Sequence, residues 1–430
     1  MEIMMKVAGI IAEYNPFHNG HQFHMKETRK RIGADYCIVV MSGDFMQRGG
    51  PAVVDKYLRA KCALENGADL VIQMPVTGST ASAGEYAGCG VALLSRLGIV
   101  TDLSFGCEAE SDEEKEILLE AAGHLHTEPA GFQTILAEGM RQGMTYPAAR
   151  LNALSSCFGD DERKKRILLC QLNAPNNILA LEYLNANMGC DRRMTPCMIT
   201  RAGASYHEEN LSEADRFPSA TALRNRLFET METVGGPSIS FDGLLEYMPA
   251  SSLNHLTDYL SGHRPLSEDV FSDMLFNALL TQKDALNQNY SQHEELNNTI
   301  RNKLETFSDW KRFALDCKTK NLTLTAVNRH LTHILLGIDD PMYSLAKGYD
   351  HAPYARILGF RREAAPLLSE IEAHATLRVI SHPAKALREM DDHEKALFRL
   401  DLRAGDLYSY AARQNSDAIV SELRHPLVYL

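Results

Sequence analysis

The chain is predicted to be an α/β protein: a parallel sheet wound with helices across its first half, followed by a mainly α-helical C-terminal region. Three observations predict this. Short apolar runs alternate with helical patterns from Val7 to Thr200. Of 28 glycines, 20 precede Met231, so tight turns and close backbone approaches concentrate in the first half. Beyond that point apolar residues recur at helical spacing.

The first strand is Val7-Ala8-Gly9-Ile10-Ile11-Ala12, apolar throughout as a strand buried on both faces must be. Pro16-Phe17-His18-Asn19-Gly20-His21 then opens a helix over Gln22 to Arg31. Further strands are expected at Tyr36 to Met41, Leu70 to Met74, Asp102 to Phe105 and Pro196 to Thr200. Helices are expected at Lys56 to Asn66, Tyr86 to Leu97, Asp112 to His124 and Asn177 to Asn187. In such a Rossmann-like order, ligands bind outside the carboxyl ends of the strands. Thr233-Val234-Gly235-Gly236-Pro237-Ser238 reads as a break, dividing the chain into residues 1–232 and 239–430. After it, Glu268 to Leu280, His293 to Phe307 and Ala326 to Leu336 read as helices.

Composition excludes several classes. At 430 residues, 45% apolar and 23% charged, the chain can bury a sizeable core, and no apolar run approaches the roughly 20 residues of a membrane span. The first apolar run is short and ends at Glu13 without a cleavage pattern, so a cytoplasmic location is expected. Nine scattered cysteines without a C-x-x-C pair argue against a disulfide framework or a zinc ribbon. A net charge of −12 argues against indiscriminate nucleic-acid binding, leaving room for a local patch at Arg29-Lys30-Arg31, Arg163-Lys164-Lys165-Arg166, Arg192-Arg193 or Arg361-Arg362. Each of these runs is equally readable as a solvated helix face.

The H-x-G-H element sits between a strand end and a helix N-terminus, where unpaired amides and the helix dipole suit a phosphate and Gly20 permits close approach. His18 and His21 can then donate to charge developing on an ATP α-phosphate and its leaving pyrophosphate. Lys56 and Arg59 lie three apart after the turn-rich loop Ser42 to Pro51, whose length favours a binding loop; they are placed to meet a phosphate or carboxylate, or to lie on a solvated helix face. Gly106 ends the fourth strand, where it lets an adenine or ribose approach the backbone or serves as a simple turn glycine. Asn176 opens a helix, as a nucleotide contact or a cap, and Arg201 ends the last strand, facing phosphates or a structural partner. Ser219, Thr221 and Arg224 place two hydroxyls and a cation around a helix start, a geometry suited to the β- and γ-phosphates. His330 and His333 lie three apart in a helix without a Cys or acidic neighbour and read as structural. Neither a P-loop nor a G-x-S-x-G elbow occurs.

These residues carry a resemblance. Gly9 to His21, Met41-Ser42-Gly43, Gln47-Arg48-Gly49, Gly67-Ala68-Asp69-Leu70-Val71, Leu103-Ser104-Phe105-Gly106, Pro175-Asn176-Asn177-Ile178-Leu179, Arg201-Ala202-Gly203, Ser219-Ala220-Thr221 and Tyr354-Ala355-Arg356-Ile357-Leu358-Gly359-Phe360 together resemble the bacterial tRNA(Met) cytidine acetate ligase family of HxGH nucleotidyltransferases. The resemblance implies a nucleotidyltransferase-like catalytic domain with an added α-helical region that binds tRNA. It implies formation of acetyl-AMP from acetate and ATP, then transfer of acetyl to N4 of the wobble cytidine of elongator tRNA(Met). Mg²⁺ is expected with the triphosphate. By the same resemblance ATP contacts fall on Ile11, Ala12, Glu13, Tyr14, Asn15, Pro16, Phe17, His18, Asn19, Gly20, His21, His24, Gly106, Asn176 and Arg201. His18 and His21 would stabilise the transition state, with Lys56, Arg201 and Arg224 holding charge.

Departures from the family pattern are Gly50 where an acidic residue is expected, Gln73-Met74 for Glu-Leu, Asp44 for Asn and Cys107 for Ser. Two alternatives stay open: a small-molecule adenylyltransferase forming a nucleotide cofactor, and a tRNA-binding protein with a silent nucleotide site. A class I aminoacyl-tRNA synthetase lacks its K-M-S-K-S counterpart here.

Overall fold

The computed structural model describes residues 5–201, 219–233, 242–320, 322–413 and 420–430. In the first half, strands β1 (Val7–Ala12), β2 (Tyr36–Ser42), β3 (Leu70–Met74), β4 (Asp102–Cys107) and β5 (Thr195–Thr200) pair in parallel. The interior strands are apolar on both faces because helices cover both. Helices α1 (Asn19–Ile32), α2 (Lys56–Glu65), α3 (Val76–Ser79) and α4 (Ala83–Arg96) fill the connections up to β4. Gly90 lets α4 lie close on β1, since a Cβ there would stand 2.6 Å from Ile11 Cδ1.

Five helices separate β4 from β5: α5 (Asp112–Thr127), α6 (Phe132–Arg141), α7 (Tyr146–Ser156), α8 (Glu162–Gln171) and α9 (Pro175–Met188). The sequence reading placed only the first and last of them. In the first half helix starts also differ, most at α1 and α4. α1 begins three residues before the expected Gln22 because His18 caps it, and α4 begins at Ala83 because Ser82 caps it.

After α10 (Ala220–Thr233), residues 234–241, where most of the expected break falls, lie outside the described residues, as do Ala202 and Gly203. The C-terminal region is mainly helical, as expected: α11 (Ala250–Leu260), α12 (Ser272–Gln282), α13 (Leu286–Asn289), α14 (Glu294–Lys303), α15 (Trp310–Cys317), α16 (Leu324–Leu336) and α17 (Asp340–Lys347). The predicted helix from Glu268 instead opens with a separate 3-10 turn, Glu268–Phe271, before α12.

The region also returns to the sheet, which the sequence reading did not foresee. β6 (Tyr354–Phe360) pairs antiparallel with β3, α18 (Ala365–His374) leads to β7 (Arg378–Ile380), and α19 (Pro383–Glu389) and α20 (Asp392–Ala412) lead to β8 (Val428–Tyr429). The sheet order is β5-β4-β1-β2-β3-β6-β7, with β8 on β6. The halves share apolar packing: Phe45, Met46 and Val76 belong to one cluster with Phe271, Trp310, Leu331 and Phe398. Among the described residues no helix is long and apolar enough to cross a membrane.

Candidate active site

β1 runs out at Ala12, at the centre of the sheet, and the chain turns through Tyr14 at φ 50°. His18, extended at φ −141°, caps α1. Its Nδ1 accepts the Gly20 N–H at 3.1 Å, and His21 Nδ1 accepts the His18 N–H at 3.2 Å, a capping box built from two imidazoles. Their rings stack with centroids 3.7 Å apart. A nitrogen that accepts an amide proton cannot carry its own, so each neutral ring holds its proton on Nε2. The local backbone thereby presets both histidines as Nε2–H donors. A side chain at position 20 would put Cβ 2.9 Å from His18 Cε1, which is why glycine stands between them.

The expected unpaired amides are not found here. Asn19 N–H donates to Tyr247 O at 2.9 Å, Gly20 to His18 Nδ1, and His21 and Gln22 to His18 O at 2.9 and 3.2 Å. The capping imidazoles and a carbonyl from the C-terminal half take up the first turn, so its donors toward a ligand are the imidazoles.

Burial, then the cations Arg201 and Arg224, pulls His18 down to about 3. Burial and neighbouring His18 and Arg201 hold His21 well below the ordinary histidine range. His24, paired with Ser104 Oγ at 3.1 Å, is lowered to about 4 by burial and Arg201. Each of the three imidazoles is thereby held neutral at pH 7.

They line an open cavity of about 340 Å³ at the carboxyl ends of β1, β2, β4 and β5. Ile11, Ala12, Glu13, Tyr14, Asn15, Gly20, Gly106, Asn176, Arg201, Ser219, Thr221 and Arg224 line it too. On the β4–β5 side, Asn176 bridges Glu108 Oε1 at 2.6 Å and Arg201 Nη1 at 3.1 Å, and Gly106 leaves room for the Arg201 stem. Arg224 is aimed by Asn15 O at 2.8 Å and Thr221 Oγ1 at 3.0 Å, while Ser219 Oγ accepts the Ala222 N–H at 3.0 Å as a cap. Phe105, Leu179, Tyr183 and Ile199 give this side an apolar wall, with the Phe105 and Tyr183 rings 5.5 Å apart. Arginines beside an apolar slot suit a triphosphate and its base.

Several expected contacts lie elsewhere. Lys56 is 1% exposed and does not line the cavity: its ammonium binds Asp44 at 2.6 Å and Glu422 at 2.9 Å. Burial lowers its pKa, but those carboxylates outweigh burial and leave it raised, so Lys56 is a structural cation rather than a phosphate ligand. Arg59 is likewise spent inside, donating to the carbonyls of Glu13 at 2.7 Å, Ser42 at 3.1 Å, Val54 at 3.1 Å and Gly43. Phe17 is core, Pro16 shapes the turn, and Asn19 Nδ2 donates to Glu246 O at 2.8 Å; none of the three lines the cavity. His330 pairs with Asn297 at 2.7 Å and His333 with Thr80 Oγ1 at 3.1 Å, both away from the cavity. In the second basic run, Arg163, Lys164 and Lys165 each lie 2.7 Å from a glutamate, as on a solvated face.

The sequence reading favours a binding loop over Ser42 to Pro51 without naming contacts in it; the structure brings its Gln47, Arg48 and Gly49 to the cavity wall, together with Glu268, which the sequence reading does not name. The unusual length of the loop after β2 signalled the first three. Nothing in the sequence signalled Glu268, which tertiary packing brings in from the other half. Among the described residues, no three His, Cys, Asp or Glu side chains gather as a metal cage. The donor set fits a Mg²⁺ ion carried mainly by phosphates, with Glu13 the carboxylate beside the H-x-G-H turn.

The chain is similar over nearly its whole length to known proteins. A family model described as HIGH Nucleotidyl Transferase matches residues 5–421. A tRNA(Met) cytidine acetate ligase of Acetivibrio thermocellus is 32% identical over 407 residues, 94% of each chain. One from a Thermoanaerobacter species is 34% identical over 431 residues, 99% of this chain and 100% of the relative. Thermotoga maritima TmcAL superposes in its apo form with a TM-score of 0.90, and bound with alpha-thio ATP with 0.87. Each is 28% identical and covers 99% of this chain and 100% of the other.

Proposed function

Since the chain belongs to the HIGH nucleotidyl transferases and, within them, to the ATP-using tRNA(Met) cytidine acetate ligases, we propose that it condenses acetate with ATP to acetyl-AMP and passes the acetyl group to N4 of the wobble cytidine of elongator tRNA(Met). The observation that carries this reading is the pair of neutral, backbone-fixed imidazoles in one cavity with Arg201 and Arg224.

Acetate is a poor acyl donor until one oxygen is joined to a good leaving group. In the first step a carboxylate oxygen attacks the α-phosphorus, a P–O bond forms, and the bond to pyrophosphate breaks in line. His18 and His21 donate Nε2–H bonds to the oxygens gaining charge, and Arg201 and Arg224 hold the phosphate chain. Phe105, Leu179 and Tyr183 receive the adenine. Mg²⁺, when bound, supplies charge neutralisation on the triphosphate. In this reading residues 1–232 form the catalytic unit and 239–430 the unit that grips tRNA, placing the protein with RNA in the cytoplasm.

Acetate-dependent exchange of labelled pyrophosphate into ATP tests the first step. The proposed ligase supports exchange with acetate and no tRNA; exchange only with a phosphorylated small molecule would move the assignment to a cofactor-forming adenylyltransferase.

A further inference from the structure

A cavity built for a polyanion also contains two carboxylates, Glu13 and Glu268. Glu13 has a donor, the Gln47 N–H at 2.8 Å. Among the described residues none donates to Glu268, although it is half-buried. A half-buried carboxylate to which none of these residues donates is open to a donor that a substrate brings.

Its position is fixed from several directions. Leu266 N–H donates to Val53 O at 3.0 Å, Lys311 N–H donates to Asp269 Oδ1 at 2.9 Å, and Phe271 is fully buried 5.6 Å from the Phe45 ring. The carboxylate lies against Gly50, where a Cβ would stand 2.9 Å from Glu268 Oε1. Gly50, at φ 96° with its N–H on Thr332 Oγ1 at 2.9 Å, leaves that space open. It is the position at which the family resemblance leads one to expect an acidic residue, so Glu268 brings a carboxylate from another element to the place where this chain lacks one.

The loop holding Gly50 follows β2, whereas Gly106 and Arg201 follow β4 and β5, with β1 between them. Glu268 therefore flanks the cavity on the side away from the apolar slot and Arg201. The exocyclic amine of cytosine is the donor a carboxylate recognises on that base.

Resting on the function proposed above, we propose that Glu268 is a catalytic residue of acetyl transfer, accepting a hydrogen bond from cytosine N4 and then its proton. N4 attacks the acetyl carbonyl carbon, the C–N bond forms, the C–O bond to AMP breaks with its electron pair leaving on AMP, and the N4 proton passes to the Glu268 carboxylate. The conjugated amine is a weak nucleophile until that proton is taken, which is where a positioned base contributes.

The test compares wild type, Glu268→Gln and Glu268→Asp in two assays: acetate-dependent pyrophosphate exchange, and single-turnover acetylation of unmodified elongator tRNA(Met) across pH. The expected result is that the ratio of transfer to exchange falls about 100-fold in Glu268→Gln, with loss of the rise of transfer with pH, and partly recovers in Glu268→Asp. Equal loss in both assays would overturn the proposal by placing Glu268 in adenylation, as would undiminished transfer. Exchange without acetylcytidine in the wild type would overturn the function itself and this inference with it.

Discussion

At the scale of residues, the proposed chemistry rests on two imidazoles whose tautomer the backbone decides. His21→Ala is expected to lower acetate-dependent pyrophosphate exchange by about 100- to 1000-fold, with tRNA affinity in a filter-binding assay nearly retained. A small change in exchange would remove His21 from the transition state. Buried neutral histidines also set the acid limb of stability. Unfolded histidines take up protons below about pH 6.5, whereas His24 and His333 resist until about 4 and His18 until about 3. The unfolded state then binds more protons across that window, so the ligand-free protein loses stability as pH falls from about 6.5 toward 4. The expected loss is about 1 kcal/mol for each such histidine at about pH 5.5, read from urea midpoints; a flat profile would contradict the neutral assignment. H-x-G-H was legible because four residues at a strand end carry it. Lys56 was misread because spacing alone cannot distinguish a cation facing a cavity from one facing Asp44 and Glu422.

At the scale of elements, β1 and β2 were legible because a parallel strand covered on both faces is apolar along nearly its whole length, whereas β4 and the edge strand β5 carry polar residues and were legible from the alternation of short strand-like runs with helical patterns. β6, Tyr354–Phe360, is buried and apolar apart from Arg356, but its pairing with β3 is made across most of the chain and leaves no local signal. The short segment before β8 carries another non-local contact. Glu422, 2% exposed, binds Lys56 at 2.9 Å and Arg356 at 2.8 Å, and those cations hold its carboxyl at about 2 against the effect of burial. Glu422→Ala leaves two buried cations with less compensation, so a loss of about 3–5 kcal/mol is expected in urea unfolding. A loss below about 1 kcal/mol would mean that the network behaves as an exposed pair.

At the scale of the whole molecule, the two halves are joined by one sheet and by apolar clusters to which both contribute side chains. A fragment of residues 1–233 would expose the β3 edge and uncover Phe45, Met46 and Val76, so it is expected to aggregate or remain unfolded in circular dichroism and gel filtration. A folded monomeric fragment would contradict that dependence. The same joining explains why the cavity was only partly readable: its arginines and histidines lie in motifs, while Glu268 arrives through packing of the second half. The most direct test of the whole account is incubation with ATP, Mg²⁺, labelled acetate and unmodified elongator tRNA(Met), followed by mass spectrometry of the digested nucleosides. Labelled N4-acetylcytidine in the wild type and its absence with His21→Ala is the predicted result; ATP turnover with no labelled nucleoside would contradict it.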